Sequence, residues 1–159
     1  PAAYKMAQPY YQPIQLENTP LMEGDKSKLW IVSGKYKDTK GAAPANSPQL
    51  LLRGELQKEG ELVIPITATF NTLVYVLEGG LKSDNKTILT KDMAVYANDG
   101  DSIHLKATAD TRFIVLSGEP INEPVVQHGP FVMNNETQIM EAMRDSQMGK
   151  MGVLIEEFE

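Results

Sequence analysis

Apolar residues along this chain come in short runs, each closed within a few positions by turn residues. Leu29 to Val32 ends at Ser33-Gly34, Leu50 to Leu52 leads to Gly54, and Leu62 to Ile66 follows Gly60. A dense β-branched and aromatic run, Leu73 to Leu77, closes on Gly79-Gly80. Thr87 to Leu89, Ala94 to Tyr96, Ile103 to Leu105 and Phe113 to Leu116 continue the series, with Asn98-Asp99-Gly100-Asp101 as a strong turn. Many short strands at close, regular spacing predict a sandwich or barrel. Lys35 to Pro48, with Gly41, Pro44 and Pro48, reads as a loop.

The pattern changes at both ends. Residues 1–20, rich in Tyr, Gln and Pro (Gln8, Pro9, Tyr10, Tyr11, Gln12, Pro13), lack periodicity and read as an extended arm or linker. Pro120 to Pro130 is extended and proline-containing. Then Asn135 offers a helix cap with Gln138 as its capping-box partner, Ile139, Ala142 and Met143 share one helical face, and Gly149 supplies a stop. The spacing predicts one amphipathic helix over Glu136 to Met148. No internal repeat is visible.

Composition narrows the function classes. The chain has 159 residues, 42% of them hydrophobic, enough for one domain with a real core. A net charge of −6 and the lack of any basic stripe argue against direct nucleic-acid binding. With no cysteine, disulfides and zinc–thiolate sites are excluded, which fits a reducing cytoplasm. No run approaches a membrane span and no signal peptide opens the chain. The first residue is Pro1, so the sequence reads as a processed chain or a piece of a longer one.

Two stretches resemble the carboxyl-terminal half of the pirin family. The stronger is FIVLSGEPINEPVVQHGPFVMN from Phe113 to Asn134, similar to the segment in which a last barrel strand runs into a helix. The weaker is PAAYKMAQPYYQ from Pro1 to Gln12, similar to the linker between the two pirin barrels; Val32-Ser33-Gly34 and the loop to Gly41 also fit. The resemblance covers nearly the whole chain. It implies an all-β cupin jelly-roll barrel with a C-terminal helix. It also implies a two-barrel parent whose amino-terminal barrel, absent here, holds iron through three His and one Glu, and it divides the chain into a linker (1–20), a barrel (21–118) and a docking segment with helix (119–159). Some members are quercetin dioxygenases and others nuclear transcription cofactors.

The cupin metal motifs can be laid on the chain directly. Gly60 is followed by five residues and then Ile66-Thr67-Ala68; three residues then separate Ala68 from Thr72, and six separate Thr72 from Gly79. These spacings fit the first motif, whose His-x-His places two imidazoles on one strand face. The second motif aligns on Asn98-Asp99-Gly100 and puts its His position at Ile103. The four ligand positions are therefore held by Ile66, Ala68, Thr72 and Ile103. Only Thr72 offers an oxygen, which is a poor ligand for a site of this kind. No metal, cofactor or catalytic residue is expected in this chain.

The two histidines do not repair that loss. His104 lies one residue from the ligand position, and a one-residue offset in a strand turns the side chain to the opposite face. Ile103 and Leu105 should face the core while His104 faces out with Ser102 and Lys106. His128 lies in the extended segment, where capping a turn or packing on another barrel is the simpler role. No nucleophile elbow, Walker loop or dinucleotide fingerprint occurs. Glu156, Glu157 and Glu159 read as a solvated acidic tail, and Met140, Met143, Met148 and Met151 as a core or docking face.

Four functional readings follow. The first is an interaction module for a metal-bearing amino-terminal barrel, docking through Val125, Val126, His128, Phe131, Val132 and Met133. The second makes the intact parent an iron-dependent quercetin dioxygenase. The third is a metal-free small-molecule pocket lined by Thr72 and the strand facing Ile103, and the fourth a transcription cofactor acting through protein partners. A homo-oligomer is compatible with the first.

Overall fold

The computed structural model describes residues 1–8 and 10–152. They fall into two compact units, Gln8–Pro120 and a second made of Pro1–Ala7 with the chain from Ile121 on.

The first unit is a pair of antiparallel sheets facing each other across an apolar core. In chain order its strands are β1 (Leu21–Gly24), β2 (Ser27–Ser33), β3 (Lys35–Tyr36), β4 (Thr39–Lys40), β5 (Gln49–Leu56), β6 (Glu61–Pro65), β7 (Asn71–Glu78), β8 (Gly80–Ser83), β9 (Lys86–Leu89), β10 (Met93–Val95), β11 (Ser102–Ala107) and β12 (Thr111–Gly118). The larger sheet has the order β1-β2-β5-β12-β7-β10 and the smaller β6-β11-β8-β9. Alternation builds the core: Leu50, Leu52 and Leu56 of β5, Val74 and Val76 of β7, Phe113 and Val115 of β12, and Ile103, Leu105 and Ala107 of β11 all point inward. This is the jelly-roll barrel that the family resemblance implies.

Several local readings change. Gly54 does not end a strand but lies inside β5, opposite Phe113. A Cβ there would sit 2.2 Å from Phe113 Cζ, so glycine is what lets the ring lie flat on the strand. Gly80 opens β8 rather than closing β7, because the turn is made by Gly79 alone, at φ +82°. The loop from Lys35 to Pro48 contains the two-residue pair β3–β4, which turns at Lys37 with φ 51°. Residues 1–20 include 3-10 turns at Ala2–Tyr4 and Leu16–Asn18.

In the second unit the segment expected to be extended is a hairpin, β13 (Val126–His128) with β14 (Phe131–Met133), turning on Gly129-Pro130. It is followed by α1 (Glu136–Gln147). Asn135 Oδ1 accepts from the Gln138 amide at 2.9 Å, while Gln138 Oε1 accepts from the amide of Asn134 at 3.0 Å, one residue earlier than a simple capping box. Past the helix, the Gly149 amide donates to Ser146 and that of Lys150 to Asp145, with Gly149 left-handed. Glu123 ties the unit together: its Oε2 accepts from the Ala2 amide at 2.7 Å and from Asn134 Nδ2 at 3.3 Å. Ile139 and Ala142 are its buried apolar side chains among the described residues. The acidic positions Glu156, Glu157 and Glu159 lie outside the described residues.

Candidate functional site

The two sheets leave a seam where β9 ends the smaller sheet and β10 ends the larger. An open cleft of about 720 Å³ lies there, floored by Ile66, Ile88 and Ile103 and rimmed by Asp84, Lys86, Asp99 and His104. Within it the Tyr96 hydroxyl donates to Ser83 Oγ at 2.8 Å. Burial pushes the Tyr96 phenol above its ordinary value; the bond to Ser83 offsets part of this, and the nearby Asp84 charge adds to it.

The four motif positions do not converge. Ile66 follows β6, half-buried on the cleft floor, its amide donating to Asp101 O at 2.8 Å. Two residues on, Ala68 is exposed in a turn closed by Phe70 N–H to Thr67 O, so strand alternation no longer carries it inward. Ile103 is a core residue of β11, paired with Ile64. Thr72 is buried on β7 of the opposite sheet, and its Oγ1 lies 2.8 Å from Ser117 Oγ on β12, its register partner. The cleft thus gathers Ile66 and Ile103 but neither Ala68 nor Thr72.

A divalent metal of the cupin type does not fit this donor set. Two branched alkyl groups and a methyl have no lone pairs to offer, and the one hydroxyl is already paired in the core. Among the described residues no group of three or more His, Cys, Asp or Glu side chains comes together.

Both histidines are exposed. His104 leaves β11 on the side away from the core, opposite Val63, and reaches the cleft only at its rim. His128 ends β13 opposite Phe131. In the hairpin, Val125 and Val132 are exposed, while Val126, Phe131 and Met133 are half-buried. Two polar pairs escaped the sequence reading, Thr72 with Ser117 and Tyr96 with Ser83. Neither has a spacing signal: Thr72 and Ser117 are 45 positions apart, and Tyr96, just past β10, reaches Ser83 on the other sheet.

The family model of the pirin C-terminal cupin domain matches residues 51–152. The chain belongs to this family. It is 34% identical over 152 residues to a pirin-like protein of Solanum lycopersicum, covering 93% of this chain and 52% of that one. To the pirin of Rattus norvegicus it is 30% identical, covering 93% and 53%. Among solved structures, a quercetin 2,3-dioxygenase from Acinetobacter baumannii superposes with a TM-score of 0.90 at 36% identity, covering 98% of this chain and 55% of that one. The chain therefore spans about half the length of the curated pirins it matches. Among the described residues, no helix of this pirin C-terminal cupin is long and apolar enough to cross a membrane.

Proposed function

We propose that this barrel is the non-metal-binding half of a two-barrel pirin-like protein and serves as a structural and interaction module for a metal-bearing amino-terminal barrel. One observation carries the reading. At cupin spacing, the positions that would hold a metal carry Ile66, Ala68, Thr72 and Ile103, and the single hydroxyl among them is committed to Ser117. In this reading residues 1–20 link the barrels, 21–118 form this one, and 119–159 dock on the other through Val125, Val126, His128, Phe131, Val132 and Met133. Support for the docking comes from the sparse interior of the second unit. Among the described residues, two buried apolar side chains do not offset the entropy of ordering a hairpin and a helix.

Two measurements test this. After incubation with ferrous iron and desalting, the chain should retain far less than one metal per molecule; stoichiometric iron would overturn the assignment of the four positions. Co-expressed with the amino-terminal half of the parent polypeptide, it should elute from size exclusion as a stable one-to-one complex.

A second reading concerns the parent. The 36% identity to a quercetin 2,3-dioxygenase over 98% of this chain supports an iron-dependent dioxygenase acting on quercetin. The chemistry would then reside in the other barrel, where the iron would supply dioxygen and substrate binding. Quercetin should disappear with the two-barrel polypeptide and not with this chain alone; turnover by this chain would refute the division of labour.

A further inference from the structure

The hydrogen bond between Tyr96 and Ser83 has a proton left over. Two hydroxyls share one bond of 2.8 Å. Whichever of them donates, the other O–H still needs an acceptor, and among the described residues it finds none. The barrel's other hydroxyl pair differs: Thr72 and Ser117 also share one bond, but Thr72 Oγ1 reaches Phe70 O at 3.5 Å.

The unused proton faces the cleft. Ser83, on β8 of the smaller sheet, is only 6% exposed. Tyr96 follows β10 and is held to the larger sheet by its amide, which donates to Thr72 O at 3.0 Å. The pair therefore bridges the seam, and both side chains line the cleft. Around them the floor is apolar, with Ile88 and Ile103 buried and Ile66 half-buried. At about 720 Å³ the cleft has the size of a small-molecule site. Its charges are unbalanced: Asp84, Asp92 and Asp99 set three carboxylates against the one ammonium of Lys86. Asp92 is occupied by the Leu89 amide at 2.9 Å, while Asp84 lies close enough to Tyr96 for its charge to act on the phenol.

These features select among ligand chemistries. The acidic rim repels a carboxylate or a phosphate. A hydrocarbon covers the floor but leaves the hydroxyl proton without an acceptor, a cost comparable to the bond it lacks. A protonated amine suits Asp84 but has no lone pair for that proton. A ligand hydroxyl satisfies both sides, because its oxygen accepts from the Ser83–Tyr96 pair while its own proton goes to Asp84.

We propose that the cleft binds a small neutral alcohol or phenol with a compact apolar body. Its hydroxyl would sit between the Ser83–Tyr96 pair and the Asp84 carboxylate, and its body on Ile66, Ile88 and Ile103. Such a site needs no metal and no second barrel.

Titration of this chain with para-propylphenol, followed by heteronuclear NMR at the backbone amides of Ile88, Ala94 and Ile103, tests the assignment. Saturable shifts are expected at these amides. Para-propylanisole cannot donate to Asp84, and para-propylbenzoate meets the acidic rim; each should bind at least about tenfold more weakly, as loss of one hydrogen bond to a charged group requires. Ser83→Ala with Tyr96→Phe should weaken para-propylphenol about fivefold or more at an unchanged melting temperature. Asp84→Asn does not depend on that double variant folding, since residue 84 sits in a turn at φ 50°, where asparagine is accepted. It should narrow the gap between the phenol and the benzoate by about threefold or more. No saturation, equal affinity for the phenol and the anisole, a folded double variant that binds as the parent does, or an Asp84→Asn chain that rejects the benzoate as strongly as the parent would each overturn the assignment.

Discussion

Replacing Gly54 by alanine adds one methyl group to the barrel, and the packing around it sets the cost. Gly54 lies inside β5, with Phe113 of β12 as its register partner. The new Cβ would lie 2.2 Å from Phe113 Cζ and 2.6 Å from each Cε. Carbon atoms in contact prefer about 3.5–4.0 Å, so the ring or the strand must move by more than about 1 Å. The ring has no room, since Phe113 is fully buried and flanked on its other side by Val76. Gly54 is not left-handed, so alanine brings no backbone penalty and the whole effect is steric. Overpacking of this kind costs about 1–3 kcal/mol, and the confined ring places Gly54→Ala near the top of that range. At about 4 °C per kcal/mol for a domain of this size, the melting temperature should fall by roughly 10 °C. Phe113→Leu, which removes the clashing edge, should destabilise the parent but rescue Gly54→Ala, giving a coupling of about 1 kcal/mol or more in a double-mutant cycle. Chemical denaturation of the four proteins decides it. A Gly54→Ala chain within about 0.5 kcal/mol of the parent, or additive effects, would refute the reasoning.

Thr72→Val leaves the buried Ser117 hydroxyl without its partner and should cost about 1–3 kcal/mol, whereas Thr72→Val with Ser117→Ala should recover most of that loss in the same denaturation assay. The phenols of Tyr36 and Tyr96 are raised above 10.0 by burial, so the folded state holds those protons more tightly than the unfolded one. Their contribution to stability is therefore constant below pH about 10 and falls as pH rises through the unfolded and then the folded value; Tyr96→Phe should make that fall shallower in alkaline melting curves. Asn135→Ala removes the side-chain acceptor for the Gln138 amide and should destabilise α1 by about 1 kcal/mol, seen as faster hydrogen exchange of its first-turn amides with the barrel amides unchanged.

The sequence by itself determined the parts whose physics is local. Short apolar runs closed by turn residues marked β2, β6, β7, β11 and β12, because a strand of a barrel is short and bounded by turns. The Asn135 cap and the Gly149 stop bounded α1 to within one residue. The one-residue offset of His104 from Ile103 foretold which would face the core. The block from Phe113 to Asn134 identified the family before any fold was known.

Tertiary structure decided whatever depends on residues far apart in the chain. Gly54 carries the same turn signal as any glycine, and only Phe113, brought across from β12, makes it a strand residue. The hydroxyls of Thr72 and Ser117 are 45 positions apart and meet because β7 and β12 pair in register. The ligand spacing from Gly60 to Gly79 is legible in the sequence, yet the chain leaves β6 at Pro65, which separates Ile66 in the cleft from Ala68 on the surface. The order of the larger sheet, β1-β2-β5-β12-β7-β10, is encoded by no local pattern. Alternation tells each strand which residues share a face, but only the folded sheet brings those faces together into one surface.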